Sequence, residues 1–333
     1  MHCNFCNKEA VVNLRPFRVK LCSEHFLEHL TNRVKRTILR YKLIEEGEKI
    51  LVATSGGKDS ATLLHILHKL SNELNFKVYG FHLNVGINDF SEESEEVAVS
   101  LFKTLGIEYK VIRVNEIFGL SITEISKEAK RPICSICGLT KRYITNFVAV
   151  YSNLNKIATG HNLDDIFSYV VKSFIVQDIR QFNRISILVP AFDKLIARIK
   201  PLAEVTEEET LAYATINKLP IVQANCPFKN NFGLELKIRH SFSDPDYKYY
   251  SIKLNLIRKH SKQNLSSGEN DILRCKYCGI PTSSEVCSFC KLLLNLNFDP
   301  TKFHKVLQSI TEMSKKANDF SRADEFGHKH LSR

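Results

Sequence analysis

The sequence predicts an α/β fold, a twisted parallel sheet with helices on both faces, flanked by small cysteine-rich modules near its two ends. Three observations predict it. Short apolar runs at 49–53, 77–84, 108–114 and 156–159 are spaced as buried strands, with stretches of helical periodicity between them, an alternation that implies crossover helices over parallel strands. The ten cysteines fall into three sets with none left over. A chain of 333 residues, 44% hydrophobic and 25% charged, can bury one sizeable core and carry smaller modules beside it.

No apolar stretch approaches the roughly 18 to 20 residues that cross a bilayer. The first residues carry a Cys-x-x-Cys pair in place of a signal peptide. A cytoplasmic protein without a membrane partner is therefore expected. There, clustered cysteines point to metal or redox chemistry and not to a disulfide scaffold. The formal charge of +11 argues for a polyanionic partner, because surface cations release counterions from nucleic acid; a solvated basic face is the plain alternative.

The elements follow in order. Cys3, Cys6, Cys22 and His25 form two short pairs, three thiolates and an imidazole that close a tetrahedral structural zinc site. After them Leu30, Val34, Ile38 and Tyr41 make one helical stripe, while Arg33, Arg36 and Arg40 line a basic face able to grip RNA or simply to sit in solvent. The hexapeptide Ser55-Gly56-Gly57-Lys58-Asp59-Ser60 then joins a strand ending at Ala53 to a helix with Leu63, Leu67, Leu70 and Leu74 on one face. Such a turn is built to hold phosphate: its glycines admit close approach, and the first helical N–H groups have no partner inside the helix.

A strand at 77–84, a helix at about 92–105 and a strand at 108–114 come next. In open sheets of this kind ligands bind beyond the carboxyl ends of the strands. Cys134 and Cys137 stand at the start of a helix whose face is Leu139, Tyr143, Phe147 and Val150, and Lys141 is one turn on from Cys137, where a cation favours a thiolate. Lys156–Thr159 and Gly160-His161-Asn162-Leu163-Asp164-Asp165 repeat the strand, glycine turn and helix. Asp164 or Asp165 is placed to bind magnesium, move a proton or merely cap the helix. Residues 176–201 carry Arg180, Arg184, Lys194, Arg198 and Lys200 as a second candidate RNA contact. Thr206 and Glu209 form a capping box for a helix to about Asn217. Ile221–Gln223 is expected as a strand just before Cys226, the third member of the middle cysteine set. Three thiolates are one short of closing a four-iron cluster and leave an iron position open. Cys275, Cys278, Cys287 and Cys290 have the paired spacing of a second structural zinc site, and the tail from about Asn297 is polar and basic.

The hexapeptide lacks the four-residue spacer of ordinary nucleoside triphosphatase loops and resembles instead the PP-loop of ATP pyrophosphatases. With both terminal zinc sets, Cys134-Ser135-Ile136-Cys137-Gly138, the 160–165 motif and Cys226, about residues 1 to 293 resemble the TtcA/TtuA family of tRNA 2-thiolation enzymes, its TtuA branch and the cytosolic wobble-thiolase subunits above all. The resemblance implies a zinc finger at 1–30, a PP-loop domain at 31–228, a helical basic extension at 229–270, a zinc ribbon at 271–293 and a basic tail at 294–333. It implies two Zn2+, and a 4Fe-4S cluster on Cys134, Cys137 and Cys226. Lys141 and Asp165 match positions held to be catalytic, and Ala53, the PP-loop, the backbone near His82 and Gly160 would surround ATP. Asp59 would help position Mg2+ and Ser60 would add a hydroxyl donor. Many relatives have Asp-Glu-Gly-Ile where this chain reads Asn84-Val85-Gly86-Ile87.

The implied reaction is ATP-dependent replacement of a uridine C2 oxygen by sulfur, at uridine 54 of the T-loop or wobble uridine 34. Implied partners are tRNA, a sulfur donor such as a ubiquitin-like thiocarboxylate protein, and a second copy in a homodimer. Rival readings are thiolation by a Cys137/Cys226 persulfide without iron, another PP-loop ligase acting on tRNA, and a zinc-stabilised RNA-binding protein with no catalysis.

Overall fold

A computed structural model describes residues 2–228, 233–243, 248–263 and 273–316. A hairpin of β1 (Val12–Leu14) and β2 (Val19–Leu21) leads into α1 (Ser23–Arg40). The chain then alternates through β3 (Lys49–Ala53), α2 (Lys58–Ser71), β4 (Lys77–Asn84), α3 (Asn88–Leu105) and β5 (Tyr109–Arg113). Short helices α4 (Val114–Phe118) and α5 (Ile122–Glu128) precede α6 (Ile133–Tyr151), β6 (Lys156–Thr159) and α7 (Leu163–Ile175). After α8 (Ile179–Arg184), β7 (Leu188–Val189) and β8 (Ala197–Ile199) comes α9 (Glu207–Ile216), started by the expected Thr206/Glu209 capping box. The remainder is α10 (Leu234–Ser241), α11 (Tyr250–Gln263), the pair β9 (Leu273–Arg274) and β10 (Pro281–Thr282), α12 (Ser288–Asn295) and α13 (Pro300–Lys316).

The six-stranded sheet has the order β5-β4-β3-β6-β8-β7, parallel throughout except for β7. Its two faces are set by strand alternation. Ile50, Val52 and Ala158 join a core with α1, α2, α3 and α7, whereas Leu51, Ile157, Phe81 and Leu83 join another with α6, α12 and α13. Helices therefore cover both faces, as the α/β prediction requires. From β3 the chain winds outward to β5 and then returns to the other side of β3 at β6. That reversal opens a crevice at the carboxyl ends of β3 and β6.

One glycine shows how closely α3 lies on the sheet. A Cβ on Gly80 of β4 would stand 2.4 Å from the fully buried ring of Phe102. Gly80→Ala is expected to cost roughly 1–3 kcal/mol through overpacking, seen as a lower urea midpoint at unchanged slope.

Four expectations are corrected. Arg33 is not on an open basic face: it is buried, ion-paired with Glu209 and bonded to the Tyr250 hydroxyl at 2.9 Å. Arg40 is likewise tied to Glu204 at 2.9 Å, and Arg258 meets the same carboxylate at 2.6 Å. Burying a carboxylate is costly unless it is paired, so Glu209 draws Arg33 inward, whereas Arg40 reaches Glu204 from an exposed position. In the second RNA candidate, Arg198 donates to the Arg142 carbonyl at 3.1 Å and Lys200 to that of Ser186, leaving Lys194 exposed; the side chains of Arg180 and Arg184 lie outside the described residues. Ile221–Gln223 is irregular and pairs with no strand among the described residues. Finally, 300–316 of the tail is a helix, with Phe303 and Leu307 buried; 317–333 lie outside the described residues.

Candidate active site

The phosphate loop leaves β3 at Ala53 and turns at Gly56, whose φ of +82° suits glycine. A Cβ there would also stand 3.0 Å from the Ser94 carbonyl of α3. Gly57 is the N-cap of α2 and supplies no side-chain cap, so the first amides of the helix stay available to an anion. The Ser60 hydroxyl, expected to face a phosphate, instead braces the loop: it donates to Gly57 O at 2.9 Å and accepts from Ser55 N at 3.1 Å. Gly160, after β6, sits against the same helix start, since a Cβ on it would lie 2.9 Å from Ser60 N.

A cavity of about 390 Å³ opens from this loop. Its walls include Ala53, Ser55, Gly57, His82, Asn84, Lys141, Cys137 and Cys226. Phosphate loop and cysteines thus share one space. The segment carrying Cys226 is clipped there by Val222, whose N–H donates to Gly56 O at 2.9 Å, and by Gln223, whose N–H donates to Glu93 at 2.8 Å. A wall contact of this kind replaces the strand expected from its apolar residues.

Lys141 does stand beside Cys137, but burial outweighs it and pushes that thiol up, with Cys226 and Cys134 adding to the rise. Cys134, three residues earlier on α6, is exposed, does not line the cavity, and its thiol lies 3.4 Å from Phe228 O. The His82 Nδ1–H donates to Thr54 O at 2.9 Å, and its buried Nε2 has no hydrogen-bond partner among the described residues. Burial holds that imidazole below its ordinary pKa. At the positions where the resemblance implies an acidic pair, Asn84 donates to Glu95 at 2.7 Å and Val85 is a buried wall.

Asp165 lies elsewhere. It does not line the cavity but belongs to a charge network at the starts of α2, α7 and α9. Asn162 is the N-cap of α7, accepting from Asp164 N and Asp165 N, and Asp165 completes a capping box with it. Asp165 is also 2.7 Å from Arg239, and Asp164 is 2.5 Å from Lys253. Burial raises Asp165 to about 6 against the pull of Arg239, and Asp59 adds to the rise. Lys58 pairs with Asp59 at 3.0 Å and Glu207 at 2.8 Å, and Glu207 pairs with Arg239. Asp59 further accepts from Asn162 at 3.1 Å. The sequence reading missed Glu207 and Arg239. Only the position of Glu207 at a helix start hinted at a charge there.

The terminal cysteine sets converge as expected. The ligand atoms of Cys3, Cys6, Cys22 and His25, and those of Cys275, Cys278, Cys287 and Cys290, lie within 4.8 Å of one another in each set. Sulfurs stand 3.8 Å apart at Cys6 and Cys22 and 3.7 Å apart at Cys278 and Cys287. Tetrahedral Zn–S bonds of about 2.3 Å call for a separation of about 3.8 Å, so both sets fit one ion. Cys134, Cys137 and Cys226 do not form so tight a group.

The family described as PP-loop domain matches residues 26–232. A tRNA-5-methyluridine(54) 2-sulfurtransferase of Pyrococcus horikoshii is 38% identical over 295 residues, 87% of this chain and 93% of the relative. A cytoplasmic tRNA 2-thiolation protein 1 of Chlamydomonas reinhardtii is 30% identical over 303 residues, 89% of this chain and 85% of the relative. The U34-tRNA thiolase NcsA from Methanococcus maripaludis, solved with its 4Fe-4S cluster, superposes with a TM-score of 0.76 at 25% identity, covering 89% of this chain and 96% of that one. The loop and the sheet that carries it are thus those of a known group, and this chain belongs to the PP-loop family of tRNA 2-thiolation enzymes.

Proposed function

We propose that the protein is an ATP-dependent tRNA sulfurtransferase that replaces the C2 oxygen of a uridine by sulfur. The observation that carries this reading is a shared cavity walled by the phosphate loop at one end and by Cys137, Cys226 and Lys141 at the other. A uridine C2 carbonyl is a poor electrophile, so its oxygen must first become a leaving group. Attack of that oxygen on the α-phosphorus of ATP releases pyrophosphate and leaves AMP on the base; the C2–O bond later breaks, AMP departs and sulfur takes its place.

The helix amides after Gly57, with Gly56 and Ser55, hold the phosphates, and Mg2+ accompanies them with Asp59 nearby. Lys141 stabilises negative charge that develops at the base, and Asp165 moves a proton near the loop. Cys134, Cys137 and Cys226 would hold a 4Fe-4S cluster, which supplies an open iron position for the sulfur atom. Two Zn2+ ions in the terminal sets fold those modules. tRNA is the substrate, a ubiquitin-like thiocarboxylate protein is one fitting sulfur donor, and the chain works as a homodimer in the cytoplasm.

The relatives named for position 54 share 32 to 38% of residues with this chain, those named for cytoplasmic 2-thiolation 28 to 30%. Uridine 54 is thus the favoured target. Anaerobic reconstitution with unmodified tRNA and mass-spectrometric nucleoside mapping tests this: 2-thiolation at position 54 supports it, thiolation at 34 moves the target, and no thiolation with any donor rejects the function.

A second reading is a persulfide on Cys137 or Cys226 without a cluster, favoured by the position of Cys134 outside the cavity wall. Cys134→Ala separates the two. Loss of iron absorbance together with thiolation supports the cluster; thiolation retained in the variant supports the persulfide.

A further inference from the structure

Glu207 is the first residue of α9, yet the start of that helix does not need its side chain. Thr206 caps it by accepting from Glu209 N, the Glu209 carboxylate accepts from Thr206 N at 2.9 Å, and Glu207 N donates to Asp164 at 2.8 Å. The Glu207 carboxylate reaches away instead, with one oxygen 2.8 Å from Lys58 Nζ and the other on Arg239. Its side chain is 41% exposed, whereas those of Lys58 and Arg239 are 20% and 22% exposed. Two half-enclosed cations therefore converge on one outward carboxylate, beside a loop whose first helical amides carry no side-chain cap. Asp59, the other partner of Lys58, is fixed from behind by Asn162 and Thr210. Among the described residues Glu207 has no such anchor apart from the two cations themselves.

We propose that Glu207 is a surrogate for phosphate: it holds Lys58 away from the loop in the nucleotide-free protein, gives the lysine up when a triphosphate arrives, and passes to Arg239. This deepens the reading that the loop binds ATP and rests on it. The competition is between anions for one ammonium. Each negative charge left at the loop opposes the triphosphate, so removing the charge of Glu207 strengthens nucleotide binding, while removing Arg239 leaves Glu207 and Asp165 uncompensated and weakens it. A merely structural network would lose affinity on either change.

The test is equilibrium binding of a non-hydrolysable ATP analogue to the full chain by titration calorimetry, without tRNA. Glu207→Gln is expected to bind it about two- to fivefold more tightly, the size of a partly exposed ion pair. Glu207→Ala, which keeps the backbone bond to Asp164, gives the same sign. Arg239→Ala binds more weakly and Arg239→Lys recovers part of the loss. Adenosine, which has no phosphate, gains nothing from Glu207→Gln. Equal or weaker analogue binding by both Glu207 variants, or an equal gain for adenosine, overturns the surrogate while leaving the ATP reading in place. A wild-type chain that binds no analogue overturns both.

Discussion

Cys226→Ala is expected to abolish 2-thiouridine formation, a loss on the order of 10³-fold or more, with binding of an ATP analogue within about twofold of wild type. The separation follows from position. Cys226 walls the cavity beside Cys137, while the segment that carries it is anchored upstream by Val222 on Gly56 and Gln223 on Glu93. An alanine removes the thiol without loosening either clip, so the phosphate loop keeps its shape. Nucleoside mass spectrometry, iron content and calorimetry on the same preparation check all three parts. Normal thiolation by the variant would remove the middle cysteine set from the chemistry; lost thiolation together with lost nucleotide binding would mean that the thiol only supports the loop.

The second large effect is at Asp165. Burial raises its carboxyl to about 6, Arg239 opposes the shift, and Asp59 and Glu207 reinforce it. A base must be ionised to accept a proton, so turnover should climb with pH through about 6 and level off above it. Asp165→Asn should run roughly 10² to 10⁴ times slower and lose that limb. Stability moves the other way. A carboxyl whose folded pKa is raised contributes stability that is full below its usual pKa of 3.8 and is lost as pH rises through about 6. A variant that kept both its speed and the acidic limb would take Asp165 out of proton transfer.

Much of this architecture was legible in the residues. The strands at 77–84 and 156–159 have the bounds expected from their apolar runs, because strands buried on both faces admit little else. The capping box at Thr206 and the helix starts at Gly57 and Asn162 follow from local chemistry that no distant contact overrides. What failed was long-range. Arg33 shares the helical period of a solvent face, and only Glu209 and Tyr250, far along the chain, draw it inside. Ile221–Gln223 has a strand's composition but meets a loop amide acceptor, Gly56 O, where a neighbouring strand would be needed. In the tail, Phe303 and Leu307 lie one helical turn apart, a signal that the basic composition masked. Within the site, the loop and the cysteines announced themselves by type and spacing. Glu207 and Arg239 did not, since a glutamate and an arginine in separate helices have no pattern until the fold brings them together.

The bond from Val222 to Gly56 ties two chemistries together. The stretch that ends in the Cys226 thiol is fastened to the turn expected to grip phosphate, so a shift at that turn is felt four residues before the thiol without any signal relayed through the rest of the fold.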